Sequence, residues 1–350
     1  MDKIILGKKQ IGTNEPCFTI AEAGANHEGS IEKAFKLIDA AKQSGSDSIK
    51  FQTYKASELT TSTAPKYWND DIKNETQFDV FKKLDAFQND DWKQVFEYSE
   101  KKDIICFSTP FDEKSAELLY SLNTPAFKIA SADITHIPLV NYVASKDLPI
   151  FLSTGMASHD EIKEAIDEIH NCGNHKIILL HCMTSYPTKI EDANLQMIKT
   201  LKKDFSECII GYSDHTLGPM IPALSVCYGS KVIEKHFTFD KNLKTSPDHG
   251  LSLNEEGFRQ MIENIRTAEF SQGQSLRLDF DNEKESVKYA RRSIVSTKKI
   301  PRNTILSSDM LAIKRPGTGI SPKFLKKILG KKTVKDIDAD IVLNWNDISS

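Results

Sequence analysis

The sequence predicts a (β/α)₈ barrel followed by a small, mostly β domain. Three observations predict it: short apolar runs recur eight times, amphipathic helical stretches separate them, and the pattern stops near residue 275. Strand alternating with helix argues parallel strands joined by right-handed crossovers. Eight such units suit a closed barrel better than an open doubly wound sheet, the structural alternative.

The apolar runs are, in order, "CFTIAEAG", "DSIKFQTY", "IICFSTP", "AFKIASAD", "IFLSTG", "KIILLHC", "CIIGYSDH" and "KVIEKHF". After the first, "SIEKAFKLIDAAKQSG" sets Ile31, Phe35, Ile38 and Ala41 on one stripe, with Ser30 as N-cap and Gly45 as the stop. "SHDEIKEAIDEIHNCG" repeats the design with Ile162, Ile166 and Ile169, and "NEEGFRQMIENIRTAEF" follows the last run. The connection between Gln52 and Ile104 is long for a barrel. It is polar and turn-rich, then helical, and reads equally as a functional loop or a solvated decoration.

The barrel is assigned to residues 1–275, a charged connection to 276–292 and the small domain to 293–350. Within the last, "KKIPRNTILSSDML" and "KDIDADIVLNWNDI" each place Ile, then Leu six residues on, then Asp, which suggests an internal pseudo-repeat.

Composition narrows the function. The 350 residues are 39% hydrophobic and 27% charged with a net charge of -3, so no basic field draws the chain to nucleic acid or an anionic membrane. No run reaches the ~18 apolar residues of a membrane span, and no charged-then-apolar leader opens the sequence. Six scattered cysteines without a C-x-x-C read as small residues of a reduced protein, and the cytoplasm is the expected compartment.

The chemistry gathers where the apolar runs end. In "KVIEKHFTFD", alternation puts Glu234 and His236 on one face of a strand whose Val232 and Ile233 belong in a core. Polar residues close the other runs too: Glu22, Lys50, Gln52, Ser108, Thr109, Lys128, Ser131, Ser153, Thr154, Thr184, Ser185, Tyr186, Ser213 and His215. A lone Ser or Thr at such a place commonly caps the next helix. In a barrel, however, all these ends converge on one mouth, where barrel active sites lie. Lys50 and Lys128 with the hydroxyls form a receptor for phosphate or carboxylate. His215 and His236, on adjacent strands beside Glu22, Asp214 and Glu234, suit one divalent metal with open positions. An anion cradle beside a Lewis acid suits joining a phosphorylated acid to a carbonyl compound.

At these residues the chain resembles the sialic acid synthase family. "IAEAGANHEGS", "IKFQTYKA", "FSTPFD", "KIASADITHIPL", "LSTGMAS", "HCMTSYPT", "GYSDHT", "IEKHFT", "PDHGLSL" and "IKRPGTGI" run in that family's order, and the small domain resembles its antifreeze-like (SAF) module. The resemblance implies condensation of phosphoenolpyruvate with an open-chain N-acyl amino sugar and release of phosphate by C–O cleavage. N-acetylmannosamine, giving N-acetylneuraminate, is the favoured acceptor; a diacetamido-trideoxyhexose, giving legionaminate or pseudaminate, is the alternative.

The resemblance also implies roles. His215 and His236 hold Mn²⁺, Mg²⁺ or Co²⁺, and Glu22 orients substrate or water and moves a proton. Lys50, Thr109, Lys128, Ser131, Ser153, Thr184 and Ser213 cradle phosphoenolpyruvate, and Gln52, Tyr186 and Asp248 contact the sugar. Arg315, in "KRPGTG", corresponds to an arginine given to the partner subunit's site, which implies a domain-swapped homodimer. Three positions depart from the pattern. Thr184 stands where some members have asparagine, Asp133 replaces a common glutamate, and Ser246 takes the place of a frequent glycine in the loop carrying Asp248. Two other classes compete with this reading: a Schiff-base aldolase using Lys128, and a silent barrel that only binds sugar or metal.

Overall fold

A computed structural model describes residues 3–68, 75–243, 245–273 and 281–349. The chain divides into two compact units, Met1–Gly273 and Gln274–Ser350. In the first, eight parallel strands close a barrel: β3 (Phe18–Gly24), β4 (Ser48–Thr53), β5 (Ile105–Pro110), β6 (Phe127–Ile129), β7 (Ile150–Ser153), β8 (Ile177–Cys182), β9 (Ile209–Asp214) and β10 (Val232–His236). These are the eight expected runs, and β10 pairs with β3 to shut the cylinder.

A hairpin that the sequence reading does not contain precedes them: β1 (Lys3–Leu6) and β2 (Lys9–Gly12), joined by a two-residue turn with Gly7 at φ +56°. Its residues Ile4, Leu6 and Ile11 pack in one cluster with Phe18, Ile20, Phe107, Phe151, Ile178, Leu180 and Val232. The hairpin therefore extends the barrel's interior filling, as a plug. A second cluster lies between the strands' outer face and the helices, with Ala34, Leu37, Ile38 and Ala41 from helix Ile31–Gln43 and Ile162, Ile166 and Ile169 from helix His159–Asn171. Ser30 and Ser158 cap these two helices by accepting from the amides of Lys33 and Glu161, and Gly45 takes φ +85°.

The long connection after β4 has a small core of its own: Tyr54, Val80 and Leu84 pack with Ala25, and Phe81 and Phe111 lie against them. No helix among the described residues is long and apolar enough to cross a membrane. Cys17, Cys106, Cys182 and Cys208 are buried, Cys172 and Cys227 are exposed, and none is disulfide-bonded.

The second unit packs Ile294, Ile300, Leu306, Ile320, Ile328, Ile337, Leu343 and Ile348 around a short antiparallel pair, β11 (Ser293–Ser296) and β12 (Leu311–Lys314). The pseudo-repeat is structural. Ile300 bridges Ile337, Leu306 and Leu343 share the core, and Asn303 and Asp340 both take left-handed backbone at φ +65° and +62°. Each half ends in a 3₁₀ turn, Ser308–Met310 and Trp345–Asp347. Of the connection assigned to 276–292, residues 276–280 lie outside the described residues, and Lys284–Ala290 forms a short exposed helix.

Candidate active site

Barrel closure brings the polar strand ends together in registers that sequence spacing does not contain. His236 stands opposite Glu22 across β10–β3, Glu22 opposite Lys50 across β3–β4, and Gln52 opposite Thr109 across β4–β5. Glu234 stands opposite Ser213 across β10–β9.

One network is ionic and buried. Lys50 Nζ lies 2.6 Å from Glu22 Oε2 and 3.7 Å from Glu234 Oε2, and donates to Thr109 Oγ1 at 3.1 Å. Lys128 Nζ and Ser213 Oγ both donate to Glu234 Oε1 at 2.9 Å, while Gln52 Nε2 donates to Glu22 Oε1 at 3.1 Å. The charges would be costly here unpaired; paired, they are held in place before any ligand arrives.

The two carboxyl groups are driven apart. Burial pushes Glu22 up to about 7, against the opposing pull of Lys50. Burial also acts to raise Glu234, but Lys128 and Lys50 outweigh it and hold that carboxyl down at about 2. Near neutral pH the cluster therefore sets two lysines against one permanent carboxylate and one that exchanges its proton. That is a net cationic pocket with a built-in acid–base group.

Hydroxyls gather beside it. Ser153 Oγ and Thr184 Oγ1 are buried without a hydrogen-bond partner, and Ser131 Oγ accepts from the Gly155 amide at 3.0 Å. Gly155 is what lets them approach: a Cβ there would fall 2.2 Å from Thr184 Oγ1 and 2.8 Å from Ser131 Oγ. Leaving a buried hydroxyl unpaired costs about 1–3 kcal/mol, so these atoms await a polar occupant. Asp133 Oδ2 is likewise buried and unpartnered, and burial raises that carboxyl to about 6.

The two imidazoles meet. The His215 and His236 ring centroids are 5.3 Å apart, with the Tyr186 ring 4.2 Å from His215. His215 Nδ1 lies 2.8 Å from the Met183 carbonyl, which only accepts, so the Nδ1 proton sits there. Burial acts to lower this imidazole, but Cys182, that carbonyl and Asp214 outweigh it and raise it, so Nε2 offers its lone pair once its proton is lost. His236 Nδ1 is buried without a hydrogen bond; the nearest carboxylate, Asp248 Oδ2, is 3.6 Å away. Burial and then neighbouring His215 hold His236 well below the ordinary imidazole value, so it stays neutral. A facing imidazole pair that offers a lone pair from each ring, His215 on losing its Nε2 proton, fits a divalent cation. Among the described residues no third His, Cys, Asp or Glu completes a cage, so further ligands would come from water or substrate. Cys182 Sγ, 3.8 Å from His215 Nδ1, joins this pair to the hydroxyl nest. Burial acts to raise its thiol, but His215, Lys128 and Ser131 bring it below the usual value.

Asp248 approaches from the loop after β10. A Cβ on Gly24, which takes φ +54°, would stand 3.4 Å from Glu22 Oε1, 3.5 Å from Gln52 Nε2 and 3.6 Å from Asp248 Oδ2. Burial raises the Asp248 carboxyl to about 6. Arg315 is exposed and belongs to the second unit. The sequence reading names Glu234 beside the imidazoles but misses its place as the counter-ion of both lysines, and it misses Gly24 and Gly155 altogether. The motifs "EAGA" and "STGM" carry those glycines where polar strand ends turn, which is the signal available.

A (β/α)₈ barrel whose mouth sets a lysine- and hydroxyl-lined pocket beside two facing imidazoles is the architecture of a barrel enzyme. The chain belongs to the NeuB family: the NeuB family model matches residues 37–277, and the SAF domain model matches residues 291–349. It is 42% identical to an uncharacterised protein of Methanocaldococcus jannaschii, over 99% of both chains. It is 38% identical to the N,N′-diacetyllegionaminic acid synthase of Legionella pneumophila, over 99% of this chain and 98% of that one. Its structure is similar to that of the N-acetylneuraminic acid (sialic acid) synthetase of Leptospira borgpetersenii, with a TM-score of 0.73 and 34% identity. That match covers 82% of this chain and 95% of the other.

Proposed function

We propose that this enzyme condenses phosphoenolpyruvate with an open-chain N-acyl amino sugar to give a nonulosonic acid and phosphate. One observation carries the reading: the Lys50–Glu234–Lys128 network with its unpartnered hydroxyls abuts the facing pair His215 and His236. Lys50 and Lys128 neutralise the phosphate and carboxylate, and Thr109, Ser131, Ser153, Thr184 and Ser213 orient them. Gln52, Tyr186 and Asp248 hold the sugar, and Arg315 reaches the site of a partner subunit in a domain-swapped homodimer.

In balance, the phosphoenolpyruvate methylene carbon forms the new C–C bond with the aldehyde carbon, whose oxygen takes up a proton. Water adds to C2 and the C–O bond to phosphate breaks. His215 and His236 would hold a divalent cation, Mn²⁺ before Mg²⁺ or Co²⁺, which would supply Lewis acidity toward the aldehyde. Glu22, with both protonation states populated near pH 7, orients the water and moves its proton.

N-acetylmannosamine is the acceptor that the sequence motifs favour. The 38% identity to the Legionella enzyme supports a second reading, a 2,4-diacetamido-trideoxyhexose. Phosphate release across a panel of N-acyl sugars, with and without chelator, tests all of this. Turnover requires phosphoenolpyruvate and metal. Full activity after exhaustive metal stripping, or a borohydride-trapped pyruvate adduct on Lys128, would sink the reading.

A further inference from the structure

The turn that carries Asp248 is braced by groups far away in the sequence. Residues 245–250 form neither helix nor strand, so nothing in the backbone ladder sets where the Asp248 carboxylate stands. His249, the next residue, has a fully buried ring with both nitrogens engaged on different loops. Nδ1 lies 2.8 Å from Thr238 Oγ1, just past β10, and Nε2 lies 2.9 Å from Glu28 Oε1, in the loop after β3.

Glu28 is held as firmly. Its carboxylate accepts from the Thr245 hydroxyl and pairs with Lys33, and its backbone takes the left-handed conformation at φ +52°. A carboxylate only accepts, so Nε2 carries the ring proton and Nδ1 is left to accept from Thr238. The Thr238 hydroxyl also has the Asp240 carbonyl within 3.1 Å, and a ring held at both nitrogens ties the three loops together as a clamp.

We infer that Glu28 and His249 are positioning residues for the sugar side of the site: the buried Glu28–His249–Thr238 clamp sets the place of the Asp248 carboxylate beside His236. The inference rests on the proposed synthase reading for its substrate. The Asp248 amide makes a long contact to Ser246 Oγ, 3.4 Å, its carbonyl accepts from the Ser252 hydroxyl at 2.6 Å and the Ser252 amide at 3.1 Å, and its carboxylate lies 3.6 Å from His236 Nδ1. The backbone bonds fix the turn and not the carboxylate, whose partner is that imidazole. A shift of this group by an ångström is enough to weaken a near-attack arrangement by about two orders of magnitude.

The test separates the two substrates. His249→Phe keeps a ring of similar size and removes both hydrogen bonds; Glu28→Ala removes the far anchor. Each should raise KM for the N-acyl sugar about tenfold or more while KM for phosphoenolpyruvate stays within about twofold. Glu28→Gln keeps an acceptor oxygen for Nε2 and should recover most of the loss. Adding His249→Phe to Asp248→Ala should cost nothing further, because the clamp acts through that carboxylate. Equal rises in both KM values, an unchanged sugar KM, or additive losses in the double variant would overturn the inference. Hydrogen exchange provides a substrate-free arm: both variants should speed amide exchange over residues 245–250 and leave β9 and β10 protected. Should the wild type release phosphate with no sugar in the panel, the synthase reading fails while the exchange result still decides the clamp. Unchanged exchange at 245–250 then overturns it.

Discussion

Asp214 Oδ2 lies 2.5 Å from Lys235 Nζ, and both side chains are fully buried. The two residues are register partners on β9 and β10, and each immediately precedes one of the facing imidazoles. Asp214 also accepts from Tyr212 Oη at 2.8 Å and from Thr216 Oγ1 at 3.0 Å, so its lone pairs are well used. Asp214→Asn should strand the ammonium of Lys235 and destabilise the protein by about 3–5 kcal/mol. The double variant Asp214→Leu with Lys235→Met should be less destabilised than either single change. Urea unfolding of Asp214→Asn, of Asp214→Leu and Lys235→Met singly, and of the double variant checks both claims.

Glu22 and Glu234 predict opposite pH behaviour. Glu22 is raised to about 7 in the folded state, so its contribution is full below its unfolded value near 4.5 and is lost as pH rises through 7. Glu22→Gln should remove that decline, flattening the stability profile between pH 5 and 8 (roughly, from the two limits). Glu234 is depressed to about 2, so its contribution is present above pH 4.5 and lost as pH falls toward 2. Glu234→Gln should therefore weaken the protein at neutral pH and reduce its further loss in acid. Thermal unfolding across pH measures both.

On the proposed reading, the same Glu22→Gln change should lower kcat by about 10²–10⁴-fold, the usual range for a lost acid–base group. The wild-type profile of kcat/KM should show a limb near pH 7. A profile flat from pH 6 to 8 would remove Glu22 from that role.

Gly155→Ala places a methyl group where Thr184 Oγ1 and Ser131 Oγ now stand. On the proposed reading, KM for phosphoenolpyruvate should rise by about an order of magnitude with little effect on the sugar KM. Combining it with Thr184→Ala frees the more crowded contact and should cost less than the two changes summed. Steady-state kinetics on the three variants decide it.

The proposed exchange of Arg315 between subunits predicts complementation. Arg315→Ala and His236→Ala should each be inactive alone. Mixed under conditions that allow subunit exchange, they should recover about a quarter of wild-type activity, because half the dimers carry one intact site. No recovery despite demonstrated exchange would place Arg315 outside the partner's site.

The barrel and the pseudo-repeat are legible along the chain because both rest on local patterns. Alternation along "KVIEKHF" puts Glu234 and His236 on one face, and Ile300 and Leu306 echo Ile337 and Leu343 at fixed intervals. The N-terminal hairpin escapes notice because four-residue strands around Gly7 carry little periodicity, and they become a plug only when a barrel exists to fill.

What the amino-acid sequence determines by itself is which residues end each strand and which face each occupies, since a period of two is a property of one strand. What only tertiary structure decides is who meets whom: Glu22 beside Lys50, Glu234 between two lysines, and His249 reaching back to Glu28. Those meetings depend on strand order and closure, and the low dielectric that drives Glu22 and Glu234 apart exists only once the interior has excluded water.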